Sequence, residues 1–341
     1  MTLIFVLAFF VPLITVLVLT PVVRQVARRL GFLHIPHRLR DVHRLPVSRL
    51  GGVALYLSFM MAITLILLLP IPRDDPKELF RLRGVIIGSA ILFAVGVYDD
   101  WRELSPWPQL AAQFAAALVA IYHLVFIERV NNPLTDQQVV FPMWVVVPFT
   151  LFWIMGMINT VNWLDGLDGL AAGVTAIASL VFFAHNFRLG QYSVALLPLA
   201  LAGSALGFLP FNFHPAKIFM GSSGSMFLGY ALGTFSIIAG AKVATVLLVL
   251  GVPILDVAWQ IINRLRRGRS PVRGDRGHLH HRLFDLGLSQ RQVVLLVYFL
   301  CAVFGGLALV LPSRLYKLYV LLGMGVVALP ALVFLARPDV D

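Results

Sequence analysis

Carboxamides and carboxylates recur at steps of three along one short stretch of this chain: Asn159, Asn162, Asp165 and Asp168. On a helix each step of three drifts by only about 60°, so neighbours in the series share a face. Gly166 and Gly169 remove side chains beside them, which lets a phosphate or a backbone approach closely. Such oxygens are the hard ligands that Mg²⁺ prefers, with water and substrate phosphate completing the shell. Capping of a following helix accounts for one Asp of this set, but not for two Asn and two Asp.

Three further polar stretches interrupt apolar sequence. Asp99 and Asp100 end one hydrophobic run. Adjacent carboxylates repel, so one of them is suited to take up a proton, although a solvated helix end explains the pair equally well. Gly221-Ser222-Ser223-Gly224-Ser225 precedes another run and reads as a phosphate nest. Gly/Ser turns are common, but Lys217 adds a cation for phosphate and Phe219 an aromatic face for a base. His278, His280 and His281, followed by Arg282, stand in a basic loop without a carboxylate set, a composition that favours anions over a metal. Together these groups point to Mg²⁺-assisted phosphoryl transfer at a membrane surface, with the acceptor phosphate supplied by a lipid.

The elements that must position these residues are membrane helices. The 341 residues are 59% hydrophobic and 13% charged, with a mean hydropathy of +0.88. Many apolar runs reach or approach the ~20 residues that cross ~30 Å of hydrocarbon. The expectation is an all-α polytopic integral membrane protein, a single transmembrane catalytic domain over residues 1–341. The single Cys, Cys301, lies in an apolar run and supports no disulfide framework. The run from Leu3 to Val23 lacks a basic start and a small-residue cleavage site, so it reads as the first span. Spans are expected near 2–23, 50–70, 84–98, 108–126, 142–158, 168–186, 192–211, 225–240, 242–262, 291–311 and 315–336.

Eleven crossings put the termini on opposite sides. Loops 24–49, 99–107, 159–167, 212–224 and 263–290, with the C-terminal tail, then share one side and, with Arg291 at the edge of the next span, carry 18 of the 27 Lys and Arg residues. The positive-inside rule makes that side cytoplasmic, with the N-terminus outside and the C-terminus inside. All four polar stretches fall there, which places one active-site cleft on the cytoplasmic face. Most of the Arg in loops 24–49 and 263–290 read as contacts to anionic headgroups. The net charge of +11 therefore does not argue for nucleic acid, and no nucleic-acid module is visible.

At these residues the chain resembles the polyprenyl-phosphate N-acetylhexosamine-1-phosphate transferases, in particular the bacterial undecaprenyl-phosphate GlcNAc-1-phosphate transferases. The resemblance runs through His43-Arg-Leu-Pro46-Val-Ser-Arg49-Leu-Gly51-Gly52, Asp99-Asp100, Asn159 to Gly169, Phe211 to Gly229, Pro253 to Asp256 and Asp275 to Arg282. It implies transfer of GlcNAc-1-phosphate from UDP-GlcNAc to undecaprenyl phosphate, with release of UMP. That would be the first membrane step of a cell-envelope polysaccharide such as teichoic acid or lipopolysaccharide, in a bacterial inner (plasma) membrane.

The same resemblance implies that Asn162 lies at the Mg²⁺ site, where Mn²⁺ could substitute, with Asp165 nearby. It implies that Asp168, Asn212 and Phe219 hold uridine, and that Asp99 and Asp100 engage or deprotonate the lipid phosphate. It also implies that His278, His280 and His281 meet the sugar and diphosphate. His43, Arg49, Lys217 and Arg282 fall in the matched motifs as substrate-binding candidates, and a homodimer is implied. Asp256 lies within the expected ninth span, where a carboxylate marks a functional site and Pro253 could break the helix; a structural pairing with Arg is equally consistent.

One position departs from the family pattern. Where the family reads Phe-Met-Gly-Asp-Ser-Gly-Ser with a metal-binding Asp, this chain has Ser222. A hydroxyl is a much poorer Mg²⁺ ligand than a carboxylate. Either the chain is a naturally slow variant or the residue was exchanged to trap a bound state, and the intactness of the other motifs favours exchange. Slow turnover with retained folding is expected. Three other readings compete: a phospho-MurNAc-pentapeptide transferase, a secondary transporter, and an inactive scaffold. The first carries a different His-rich loop, the second usually shows internal repeats that are not seen here, and the third rests on Ser222 alone.

Overall fold

The computed structural model describes residues 1–34, 46–135, 137–238, 243–268 and 279–335. An apolar run in lipid must satisfy its own N–H and C=O groups, and a helix does so. The chain accordingly forms α1 (Thr2–Arg29), α2 (Gly51–Leu68), α3 (Glu78–Arg102), α4 (Pro106–Tyr122), α5 (Met143–Leu164), α6 (Leu170–Arg188) and α7 (Tyr192–Asn212). It continues through α8 (Gly221–Ile238), α9 (Val243–Val249), α10 (Gly251–Arg266), α11 (Leu279–Asp285), α12 (Gln290–Val310) and α13 (Arg314–Leu335). Two small antiparallel ribbons add to the expected all-helical architecture: β1 (Leu33–His34) pairs with β2 (Val47–Ser48), and β3 (Arg129–Asn131) with β4 (Gln138–Val140).

Each expected span coincides with a helix or, at 242–262, with the α9–α10 pair. Among the described residues, α1, α2, α3, α5, α6, α7 and α12 are long and apolar enough to cross a membrane, and α9–α10 makes an eighth if counted as one span. Exposed aromatics stand near helix ends: Tyr98, Trp101 and Trp107 where α3 meets α4, and Tyr122, Trp144, Tyr316 and Tyr319 at the end of α4 and the starts of α5 and α13. Aromatics so placed favour membrane–water interfaces. The chain is a multi-pass membrane protein.

The ninth span is not a straight helix, because α9 and α10 meet at 83°. Pro253 explains the position of the break. Its ring clashes with the carbonyl four residues earlier, that of Val249, where α9 ends.

Helix α8 is the axis of the site. It is buried along nearly its whole length and packs against α2, α3 and α5. Small residues allow this proximity. A Cβ on Gly52 would overlap the backbone of Gly224, and one on Gly96 the backbone of Ser223. One on Gly229 would come within 2.6 Å of the Ile158 Cα. The first turn of α8 is thereby wedged between the start of α2 and the last turns of α3.

Candidate active site

The C-terminal turn of α3 presents Asp99 and Asp100 to the N-terminus of α8. The Ser222 N–H donates to Asp100 Oδ1 at 2.7 Å, and the Ser223 N–H and Oγ donate to Oδ2 at 3.1 and 2.6 Å. A carboxylate from another helix thus takes the place that the Gly/Ser turn was expected to offer a phosphate. Gly221 makes room for it. Its φ is 70°, and a Cβ there would stand 2.5 Å from both Asp100 carboxylate oxygens.

Asp99 faces the same turn. Its Oδ1 accepts from the Leu104 N–H at 2.8 Å and Gln109 Nε2 at 2.9 Å, and its Oδ2 accepts a short bond from Ser222 Oγ. One turn further along α8, Ser225 Oγ donates to Asn162 Oδ1 at 2.7 Å. The last turn of α5 therefore joins the cluster. Asn159, one turn earlier, is held by Gln113 of α4 through Nδ2 to Oε1 at 2.7 Å.

Asp165 caps the end of α5 and keeps partial exposure. Its carboxyl is nevertheless held well above the usual carboxylate range. Burial is the largest cause, repulsion from Asp100 and Asp168 adds to it, and Arg49 opposes it. Crowded acidic oxygens next to a carboxamide oxygen are the donor chemistry of a divalent-cation site. Among the described residues, however, no three His, Cys, Asp or Glu groups form a ready metal cluster. Asn162 and substrate oxygens would have to complete the shell around Asp165.

Beside this cluster two loops are cross-braced. Asp168 is buried, and its Oδ2 accepts from His214 Nδ1 at 2.9 Å and the Ala216 N–H at 3.0 Å. Asn212 accepts from the Gly169 N–H at 3.2 Å and donates to the Ile218 carbonyl at 3.1 Å. Residues 48–52 run along 218–220: Phe219 N–H donates to the Ser48 carbonyl at 2.8 Å, and Gly51 and Gly52 donate back to Phe219 and Met220 at 2.9 and 2.8 Å. This seats Arg49 beside the carboxylates, where it pairs with Glu103 at 2.7 Å. Phe219 is half-buried and Lys217 exposed at the lip of the cluster.

The structure thus gathers Asp99, Asp100, Asn162, Asp165, Asp168, Asn212, Phe219, Ser222 and Arg49. Asp256 and Arg282 make a second group. Asp256 Oδ1 accepts from the Leu279 N–H at 2.8 Å, tying α10 to the first residue of α11, and Arg282 Nη1 donates to the Leu332 carbonyl at 3.4 Å. The two groups approach where Arg264 of α10 lies over the Trp163 ring at 5.0 Å. His43 and His278 lie outside the described residues, as do the side chains of His280 and His281 on α11. Ser223 and Ser225 belong to the turn that the sequence reads as a phosphate nest, whereas His214 and Gln109 carry no site reading in the sequence. Their only signal is membership of, or proximity to, a polar stretch.

The sequence pattern of glycosyl transferase family 4 matches residues 82–240. A Bacillus subtilis protein named as a probable undecaprenyl-phosphate N-acetylglucosaminyl 1-phosphate transferase is 33% identical, over 90% of this chain and 85% of its own length. A decaprenyl-phosphate N-acetylglucosaminephosphotransferase of Mycolicibacterium smegmatis is 36% identical, over 81% of this chain and 74% of its own. The phospho-N-acetylmuramoyl-pentapeptide-transferase of Bacillus subtilis is 33% identical over a shorter share, 72% of this chain and 77% of its own.

Proposed function

The chain belongs to glycosyl transferase family 4 and is a glycosyl-1-phosphate transferase, and we propose that it transfers GlcNAc-1-phosphate from UDP-GlcNAc to undecaprenyl phosphate. An oxygen of the lipid phosphate attacks the phosphorus that bears the sugar. A new P–O bond forms, the bond from that phosphorus to the bridging oxygen breaks, and UMP leaves with the electron pair. The sugar keeps its C1–O bond, so the products are undecaprenyl-diphospho-GlcNAc and UMP. The observation that carries this reading is the gathering of Asp99 and Asp100 on the first turn of α8, Asn162 on its Ser225, and Asp165 beside Asp100, at one end of a membrane bundle.

Asn162 and Asp165 are the residues that would hold Mg²⁺ or Mn²⁺, which when bound neutralises diphosphate charge. Asp100 anchors the first turn of α8, and Asp99 is the acidic group offered to the lipid phosphate. Asp168 and Asn212 shape the uridine pocket from behind, with Phe219 as the face for the base. Lys217 and Arg49 serve the phosphates, with His43 as a further candidate. Asp256 holds Leu279 at the start of the segment that carries Arg282, and His278, His280 and His281 are the candidates to meet the sugar. Ser222 weakens metal binding, and turnover is slow because of it. The whole chain acts as one catalytic unit of eleven spans in a bacterial plasma membrane, with the site and C-terminus cytoplasmic and two copies forming a homodimer.

The test is UMP release by the Ser222→Asp protein in vesicles containing undecaprenyl phosphate and Mg²⁺, offered UDP-GlcNAc or UDP-MurNAc-pentapeptide. Release with UDP-GlcNAc alone, together with a lipid-linked sugar, is expected. Release with the pentapeptide substrate alone would overturn the sugar assignment in favour of the shorter-matched relatives.

A further inference from the structure

A cavity of about 690 Å³ lies at the end of the bundle opposite the candidate site. It is lined by residues around the start of α3, the end of α8 and the starts of α9 and α13. Along α3, the rise from Arg81 on its lining to Asp99 is about 27 Å. Nothing in the transferase reading uses it.

Its lining has two chemistries. Lys77, Arg81, Arg129, Arg314 and Lys317 contribute cations against one carboxylate, Glu128. Glu128 pairs with Arg129 at 3.1 Å, and Asp75, on the loop before α3, pairs with Arg81 at 2.6 Å. Even with Asp75 counted, the balance is positive. Asp136 and Lys242, near these segments in sequence, lie outside the described residues. The Nε of Arg81 is buried without a hydrogen-bond partner, a cost that a bound acceptor would remove.

The rest of the wall is apolar, built by Trp153, Ile237, Leu247, Leu318 and Leu321. Trp153 lies about 15 Å along α5 from its start, at hydrocarbon depth. Tyr122, Trp144, Tyr316 and Tyr319 mark the headgroup level at this same end. The cavity therefore runs from a cationic rim at headgroup level to an oily floor inside the membrane. Its volume is that of a ligand pocket, not of a small-ion site. A free inorganic anion would satisfy the rim and leave the floor bare.

We infer that this cavity binds an anionic lipid of the leaflet facing away from the candidate site, its phosphate against Lys77, Arg81 and Arg129 and its chain along Leu318 and Leu321. The site is separate from the transferase reaction and stands whether or not the sugar assignment does.

Native mass spectrometry of the full chain, released from micelles doped with phosphatidylglycerol, tests it. Two variants are compared with the parent: Lys77→Gln/Arg129→Gln, which removes rim charge, and Ala244→Phe, which fills the lined space and leaves every cation in place. One tightly bound phosphatidylglycerol is expected in the parent, with apparent Kd raised at least about tenfold by loss of two cations at a lipid surface. The same weakening is expected for Ala244→Phe, and millimolar inorganic phosphate should not displace the lipid. Unchanged binding in Ala244→Phe, with its thermal unfolding near that of the parent, would overturn the proposal. Displacement by phosphate would overturn the lipid source and leave a free-anion site.

Discussion

Asp100 uses both carboxylate oxygens to hold the first turn of α8, with three donors on two consecutive serines. An amide in its place keeps one acceptor and brings two unwanted donors. Asp100→Asn should therefore lower stability by about 1–3 kcal/mol, the range for losing charged caps and stranding buried donors. Thermal unfolding in detergent checks this, and UMP release should fall with it, because the same turn carries Ser222. Ser222→Asp tests the opposite sign. It sets a third carboxylate against Asp99 and Asp100, so without metal the unfolding temperature should drop by a few degrees, equivalent to about 1–2 kcal/mol. With Mg²⁺ the drop should reverse and UMP release should rise by at least about tenfold. An unfolding temperature indifferent to Mg²⁺ in both proteins would separate Ser222 from any metal. The chemistry of these residues was legible in their types and spacing. The partnership of Asp100 with Ser222 was not, because they stand 122 positions apart and either group alone reads as an ordinary helix end.

At the scale of elements, the site depends on α8 reaching the last turn of α3 without side chains between them. Gly96 is where the α3 and α8 backbones come closest, since any Cβ there meets the Ser223 backbone. Gly96→Val should cost about 1–3 kcal/mol through overpacking, and it should reduce UMP release more than Gly156→Val, where a Cβ meets nothing. Comparing initial rates at matched protein stability separates a displaced turn from general loosening. Helix positions were legible because each apolar run must become a helix in lipid. The bend in the ninth span was only half legible. Pro253 announces a break, yet whether a membrane helix kinks gently or turns through 83° depends on what receives its second half. Here Asp256 meets the start of α11, and Arg264 meets Trp163. Those partners are remote in sequence and invisible to local pattern.

At the scale of the whole molecule, two cationic regions lie on opposite ends of the bundle, and orientation decides which meets the cytoplasm. Exposed aromatics near the helix ends favour an interface at each end without saying which is which. The proposed orientation rests on the Lys and Arg bias, which favours the end carrying Asp99, Asp100 and Ser222 inside. That assignment suits the proposed reaction, because a nucleotide sugar is a cytoplasmic substrate, and it would leave the cavity lined by Lys77, Arg81 and Arg129 facing outward. The chain itself offers a clean background for the measurement, since its only Cys, Cys301, is buried. Thr135→Cys places an exposed thiol between β3 and β4, and Ser105→Cys places one between α3 and α4, at the opposite end. A membrane-impermeant maleimide applied to intact cells should label Thr135→Cys and spare Ser105→Cys, and permeabilised cells should label both. The reverse pattern would put the carboxylate cluster outside. It would also remove the nucleotide sugar as substrate, however well the residues of the site fit one, because no UDP-sugar would reach them.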